Sequence, residues 1–380
     1  MKYWRGYLVG GIIAAFSFAL QKFAESHTVL VDMFYPYVTR LMQSFLAQWS
    51  TGVDFCVWQV LLIALVVVVL ASAVLMLVFR WNPIQWFGWV LTGVSIVYLL
   101  NLGVYGLNQY AGPLSEDIRL AETDYTVQDL KTAAEFYRDE ANRLALEVKR
   151  DEKDDPAFPD FDTLARQAGD GFTVLTREQF DSVYAGSVLP VKELGWSGTY
   201  AVKGVGGKMV GITGEAAVNP KAPTVYLPFG MCEQMARRMC IAIDRDAEFS
   251  AFLACRFNPD VNFQYAGYLA AYRYCEKALE VAAKTSGNNS LLTVRAAVND
   301  PLAHDLETFQ DFFGKGYTDT QVAELLVYWH IQNYVLPLQQ EDKVLFDPLD
   351  ETQVDLSGLV NEDKVPKPTE ATEATEEQNG

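Results

Sequence analysis

Asp54 and Arg80 bracket 25 consecutive uncharged residues, and Val60–Val78 within them is almost wholly apolar. About 20 such residues cross the hydrocarbon core as a helix, which bonds every backbone N–H and C=O within the segment. The chain must therefore place at least one helix in a membrane. A second run of 35 uncharged residues lies between Arg80 and Glu116 and opens with Trp81-Asn82-Pro83. It reads as a tight turn leading into a further span, with Trp81, Trp86 and Trp89 as an interfacial belt. Gly6–Gln21 adds 16 uncharged residues behind Lys2 and Arg5. This stretch reads as a short span, with a cleavable signal peptide as the other reading; no clean small-x-small cleavage site follows it. Spans are thus expected at about residues 6–21, 56–79 and 85–106.

Charge divides the chain at Gly106. Residues 1–106 hold five basic and three acidic side chains, a balance of +2, leaving 25 basic and 45 acidic beyond, a balance of −20. The first part predicts a membrane anchor. The second predicts a folded acidic domain at 107–346, and its surface repels phosphate, which excludes nucleic acid as a partner. Lys2, Arg5 and Arg80 sit beside spans, and placing all three in the cytoplasm puts the chain after Gly106 outside the cytoplasm, in a multi-pass cell-membrane protein. None of the three spans holds an acidic, basic or histidine side chain, which argues for anchoring over transport. Between the first two, Leu30, Phe34, Tyr37, Leu41 and Phe45 recur at helical spacing. Residues 28–49 are expected either as an amphipathic helix in the interface or as a helix packed on the spans.

The outer part predicts a mainly α fold with a small β element. Thr126 and Asp129 open a long helix over 125–151. Lys149–Asp155, followed by Pro156 and Pro159, reads as a solvated hinge. Short strands are expected at Tyr200–Val205, Met209–Thr213 and Thr224–Leu227, among Gly204, Gly206, Gly207, Gly211 and Gly214. Those glycines read as turns and not as a phosphate loop, because Met209 follows Gly207-Lys208 where Ser or Thr would ligate magnesium. Helices are expected at 229–242, 245–257, 261–283, 300–313 and 319–336, the last capped by Thr318 and Gln321. Residues 347–380, ending in a Thr-Glu-Ala repeat, read as a disordered acidic tail.

Chemistry has few places to reside. His27, His304 and His330 are far apart in sequence, so no HExxH zinc site exists. His304-Asp305 has no Gly-x-Ser-x-Gly serine to serve. Cys56 falls in a span. Cys232, Cys240, Cys255 and Cys275 lie on apolar helix faces, where free thiols and disulfides both remain open.

Pro228–Cys255 carries the most information. Together with Tyr110–Leu120, Thr126–Leu144, Gly211–Asn219 and Tyr265–Tyr274, it resembles an uncharacterised family of bacterial membrane proteins, a domain of unknown function. That family joins three N-terminal spans to an extracytoplasmic zincin-like metallopeptidase domain, and the likeness ends near residue 340. In the family an HExxH motif begins three residues after the Pro-Phe pair, and an acidic third ligand follows. The resemblance places Glu233 and Arg237 at the two histidines, Gln234 at the general base and Asp246 at the third ligand, with Glu215 nearby. Arg237 repels a cation and Gln234 accepts no proton from water, so the implied zinc is judged lost and no cofactor is expected.

In the metal's place the sequence offers an ion-pair cluster: Glu233 and Arg237 at i,i+4, approached by Asp246 from the next helix. A plain alternative makes 233, 234, 237 and 238 the solvated face of a helix. The resulting expectation is an inactive metallopeptidase homologue that binds or scaffolds at the cell surface, with a peptide or protein in the old substrate cleft and the lipid bilayer as its other partner. Two rivals stand beside it. One is a hydrolase of reassigned chemistry built on Glu215, Glu233 and Asp246, and the other is a purely structural membrane protein.

Overall fold

In a computed structural model, which describes residues 2–178, 180–286, 289–314 and 320–337, the chain is mostly helical with one small sheet. The first four long helices are α1 (Arg5–Ser26), α2 (Thr28–Ser50), α3 (Val57–Val78) and α4 (Pro83–Val104). Three of them, α1, α3 and α4, are long and apolar enough to cross a membrane. Asn82 starts α4 by accepting the N–H of Ile84 at 2.9 Å, with Pro83 in the first turn where its missing donor costs nothing. Close approach of two backbones holds α1 to α4. A Cβ on Gly6 would stand 2.5 Å from the carbonyl carbon of Gly88, and Thr92 Oγ1 donates across to the Gly6 carbonyl at 2.8 Å.

Helix α2 turns its apolar stripe away from the protein. Leu30, Phe34, Tyr37, Leu41 and Phe45 are all exposed, whereas Val31, Thr39, Gln43, Ala47 and Ser50 are buried. Gln43 Nε2 donates to the carbonyls of Val104 and Gly211 at 3.2 and 3.0 Å. Thr39 Oγ1 donates to Asn108 Oδ1 at 3.1 Å. The mixed face thus packs on protein, and the clean apolar face is left exposed.

Beyond the anchor come α5 (Val127–Glu147), α6 (Phe161–Glu178), β1 (Lys192–Glu193), β2 (Gly207–Val210) and β3 (Glu215–Val218). They are followed by α7 (Leu227–Arg238), α8 (Asp244–Phe257), α9 (Val261–Ser286), α10 (Asp300–Phe313) and α11 (Gln321–His330). The expected capping box starts α5, Thr126 Oγ1 accepting from Asp129 N while Asp129 accepts from Thr126 N. Tyr137 of α5 meets Phe252 of α8 and Tyr268 of α9 edge-on or tilted in the core. Thr318 lies outside the described residues, as does 347–380.

The sheet has the order β1-β3-β2, with β1 parallel and β2 antiparallel to β3, so β2 is an edge strand. Only one expected strand overlaps it. Ser197–Val202 is a helix and Thr224–Tyr226 a 3₁₀ turn, while β1 and β3 were not anticipated. Strands of two to four residues are too short to display a period. Within the expected solvated hinge, Lys149 and Asp151–Asp154 are exposed, while Arg150 turns inward, half-buried, and its Nη2 pairs with Asp305 Oδ2 at 2.7 Å. By contact the chain forms two compact units, Met1–Val327 and Tyr328–Gly380. The first contains residues from both sides of Gly106. In the second, Asn333 Nδ2 donates to the Trp329 carbonyl at 2.9 Å.

Gly6→Val is expected to lower the melting temperature of the full chain in detergent, overpacking costing about 1–3 kcal/mol. Gly11→Val should not, because nothing lies within 4 Å of a Cβ there. Equal melting temperatures for the two variants would contradict the α1–α4 contact.

Candidate functional site

Strand β2 and helix α7 frame a cleft of about 430 Å³. Its wall runs from Gly204 to Met209, its floor carries Glu233, Gln234 and Arg237, and Tyr105, at the end of α4, closes one side. Glycines allow the close fit. Gly204 has φ +63°, a turn conformation, whereas Gly206 and Gly207 leave room for neighbours: their Cβ atoms would sit 2.5 Å from the Tyr226 ring and 2.9 Å from Gln234 Cγ. The glycine cluster is therefore part turn and part packing.

Glu233 and Arg237 form the expected pair. Arg237 Nε and Nη2 donate to Glu233 Oε1 at 3.0 and 2.9 Å, and Tyr226 Oη donates to Glu233 Oε2 at 3.2 Å. Burial alone would depress the Arg237 guanidinium, but the charge of Glu233, then the hydrogen bond and charge of Asp244, outweigh it and leave the pKa raised. The solvated-face alternative is overturned, since Glu233, Gln234 and Arg238 are all buried. Arg238 points the opposite way from the cleft pair, donating to the carbonyls of Ser187 and Leu189, and burial pushes it down to about 10. Gln234 Oε1 is buried without a hydrogen-bond partner among the described residues.

Two positions depart from expectation. The carboxylate that joins Arg237 is Asp244, at 2.7 Å from Nη1, and not Asp246. Asp246 is buried elsewhere, accepting the Leu114 N–H at 3.2 Å and lying 3.3 Å from Arg245 Nε. Residues two apart on a helix differ by about 200° in direction, so Asp246 and its neighbour-but-one Glu248 face different surroundings. Glu248 is the α8 carboxylate that lines the cleft beside Asp244. That geometry was available from the numbering once α8 was placed, and sequence reasoning missed it.

Glu215 is also remote from the cleft lining. Its two oxygens accept the N–H groups of Val57 and Trp58, both at 2.8 Å, at the start of α3. Lys192 Nζ, 2.8 Å from Oε1, completes the site and donates to the carbonyls of Ser50 and Phe55. Glu215, Glu233 and Asp246 therefore do not converge. Among the described residues no group of three or more His, Cys, Asp or Glu side chains is placed to hold a metal ion. The cleft's donor set does not fit zinc, because a guanidinium occupies the space between its carboxylates. All five cysteines are free and buried, Cys56 at the N-terminal end of α3. His304 pairs with Asp155, while its neighbour Asp305 belongs to Arg150.

Removing Arg237 strands a buried carboxylate. Arg237→Ala is expected to cost about 1–3 kcal/mol in thermal unfolding of the full chain, and Glu233→Gln combined with Arg237→Ala should cost less than the sum of the two. Simple additivity would show that the two groups do not interact.

Residues 31–334 match the model of a family described as a protein of unknown function (DUF3810), and the chain belongs to that family. No curated protein and no solved structure matches it.

Proposed function

We propose that this DUF3810 member is a membrane-anchored binding or scaffold protein whose outer part descends from a zincin-like metallopeptidase and has lost its catalysis. The cleft takes an extended peptide segment alongside β2. One observation carries the reading: an edge strand lines the same cleft that holds the Glu233–Arg237 pair. An edge strand presents main-chain donors and acceptors to which a peptide can add as a further strand. The general-base position holds Gln234, which cannot take a proton from water. The ion pair supplies fixed charges where the resemblance would put a metal. A cleft of this kind binds a chain without cutting it.

A photo-crosslinking residue in place of Lys208, on β2, is expected to give discrete peptide or protein adducts in native membranes. The same residue in place of Val202, which is 90% exposed and outside the cleft, should give none of them. Identical adducts from both sites, or stoichiometric zinc in the purified wild-type protein, would refute the proposal.

The reading also puts the cleft outside the cytoplasm. Lys2, Arg5 and Arg80 lie at one end of the spans, and Ser26, Val57 and Val104 at the other. Because the native cysteines are buried, Val202→Cys creates a uniquely accessible thiol. A membrane-impermeant maleimide is expected to label it in intact cells, and to label Arg80→Cys only after permeabilisation. The reverse pattern would invert the topology.

A further inference from the structure

A second pocket lies where the outer part meets the membrane helices. Helix α2 starts two residues after α1 ends and stops seven before α3 begins, so both of its ends return to the end of a span. A helix tied in this way runs along the membrane surface, and its exposed apolar stripe faces the lipid. Against its inner side, a cavity of about 70 Å³ is lined by Asp32 and Arg40 of α2, by Asp117 and by Asp246. Asp32 and Arg40 belong to α2, Asp117 lies 13 residues beyond the end of α4, and Asp246 belongs to α8.

The charges are mixed and unevenly matched. Asp32 Oδ1 accepts the Gly112 N–H at 3.0 Å, and Asp246 is answered by Arg245. Asp117 accepts no hydrogen bond among the described residues. Burial, with the nearby Asp32 carboxylate, holds Asp117 above the usual carboxylate range against the opposing charge of Arg40. Arg40 stands at the rim, its Nε donating to the Met239 carbonyl at 3.1 Å. Arg40 and Tyr37 also line a groove of about 260 Å³, completed by Leu41, Ser44 and Ala185, which is mostly apolar.

We infer that this pocket and groove bind an aminophospholipid, its ammonium between Asp32 and Asp117, its phosphate toward Arg40 and an acyl chain along Leu41. A primary ammonium carries three donors and fits carboxylates with acceptor capacity to spare. A phosphate beside Arg40 and a chain on the apolar groove then place all three parts of one molecule in order from pocket to bilayer. This assignment is independent of what occupies the β2 cleft.

The test uses the full chain in detergent micelles doped with phosphatidylethanolamine, phosphatidylglycerol or phosphatidylcholine, with retained lipid read by native mass spectrometry. Phosphatidylethanolamine is expected to be retained about tenfold over the other two, and Asp32→Asn and Asp117→Asn each to reduce its retention by about tenfold, the worth of one charge-assisted hydrogen bond. Leu41→Gln, at a position 75% exposed and so harmless to folding, should reduce it as well. Equal retention of the three lipids by the wild type, or retention unchanged in all three variants, would overturn the inference. So would displacement of the lipid by an equal concentration of soluble phosphoethanolamine, which would make the site one for free headgroup.

Discussion

One buried carboxylate fastens the small sheet of the outer part to the start of a membrane helix. Glu215 leaves water with two oxygens to satisfy, and it finds the first two free N–H groups of α3 and the ammonium of Lys192. A helix N-terminus carries partial positive charge, so the carboxylate is stabilised by dipole, hydrogen bonds and ion pair together. Lys192 gives its other donors to the carbonyls of Ser50, the last residue of α2, and of Phe55, just before α3. Buried ion pairs contribute little when their remaining valences are empty; here they are filled by the membrane helices themselves. The sheet is fastened to the start of a span, and β2, beside β3, inherits that position.

The same logic explains the rest of the junction. The turn between β2 and β3 rests on α2, where Gly214, at φ +66°, comes so close that a Cβ would stand 2.7 Å from Ala47 N. Gln43 bonds that hairpin and the end of α4 at once. Helix α2 thus turns a mixed face to the protein and an apolar face outward, the reverse of a surface helix on a water-soluble protein.

Much of this architecture was legible from residue patterns. The spans, the capping box at Thr126 and Asp129, and the helix at Asp300–Phe313 follow from local signals: run length, side-chain caps and period. What stayed hidden was long-range. Glu215 and its α3 partners are separated by 157 and 158 positions, and Arg150 from Asp305 by 155, so no window could couple them. The sheet escaped because its strands are shorter than a usable period. At the cleft, the i,i+4 rule found Glu233 with Arg237, whereas the partner across the turn came out as Asp244 because the direction of the next helix is set by packing.

Arg40 of α2 bonds the carbonyl of Met239, directly after the end of α7, and Tyr105 closes the cleft from directly after the end of α4. The domain consequently has no stalk. On the function proposed above, the cleft would ride low over the headgroups and reach chains that are themselves tethered to, emerging from or lying against the same bilayer. A freely diffusing partner would gain little from such a mounting; a neighbour in the membrane plane arrives already aligned.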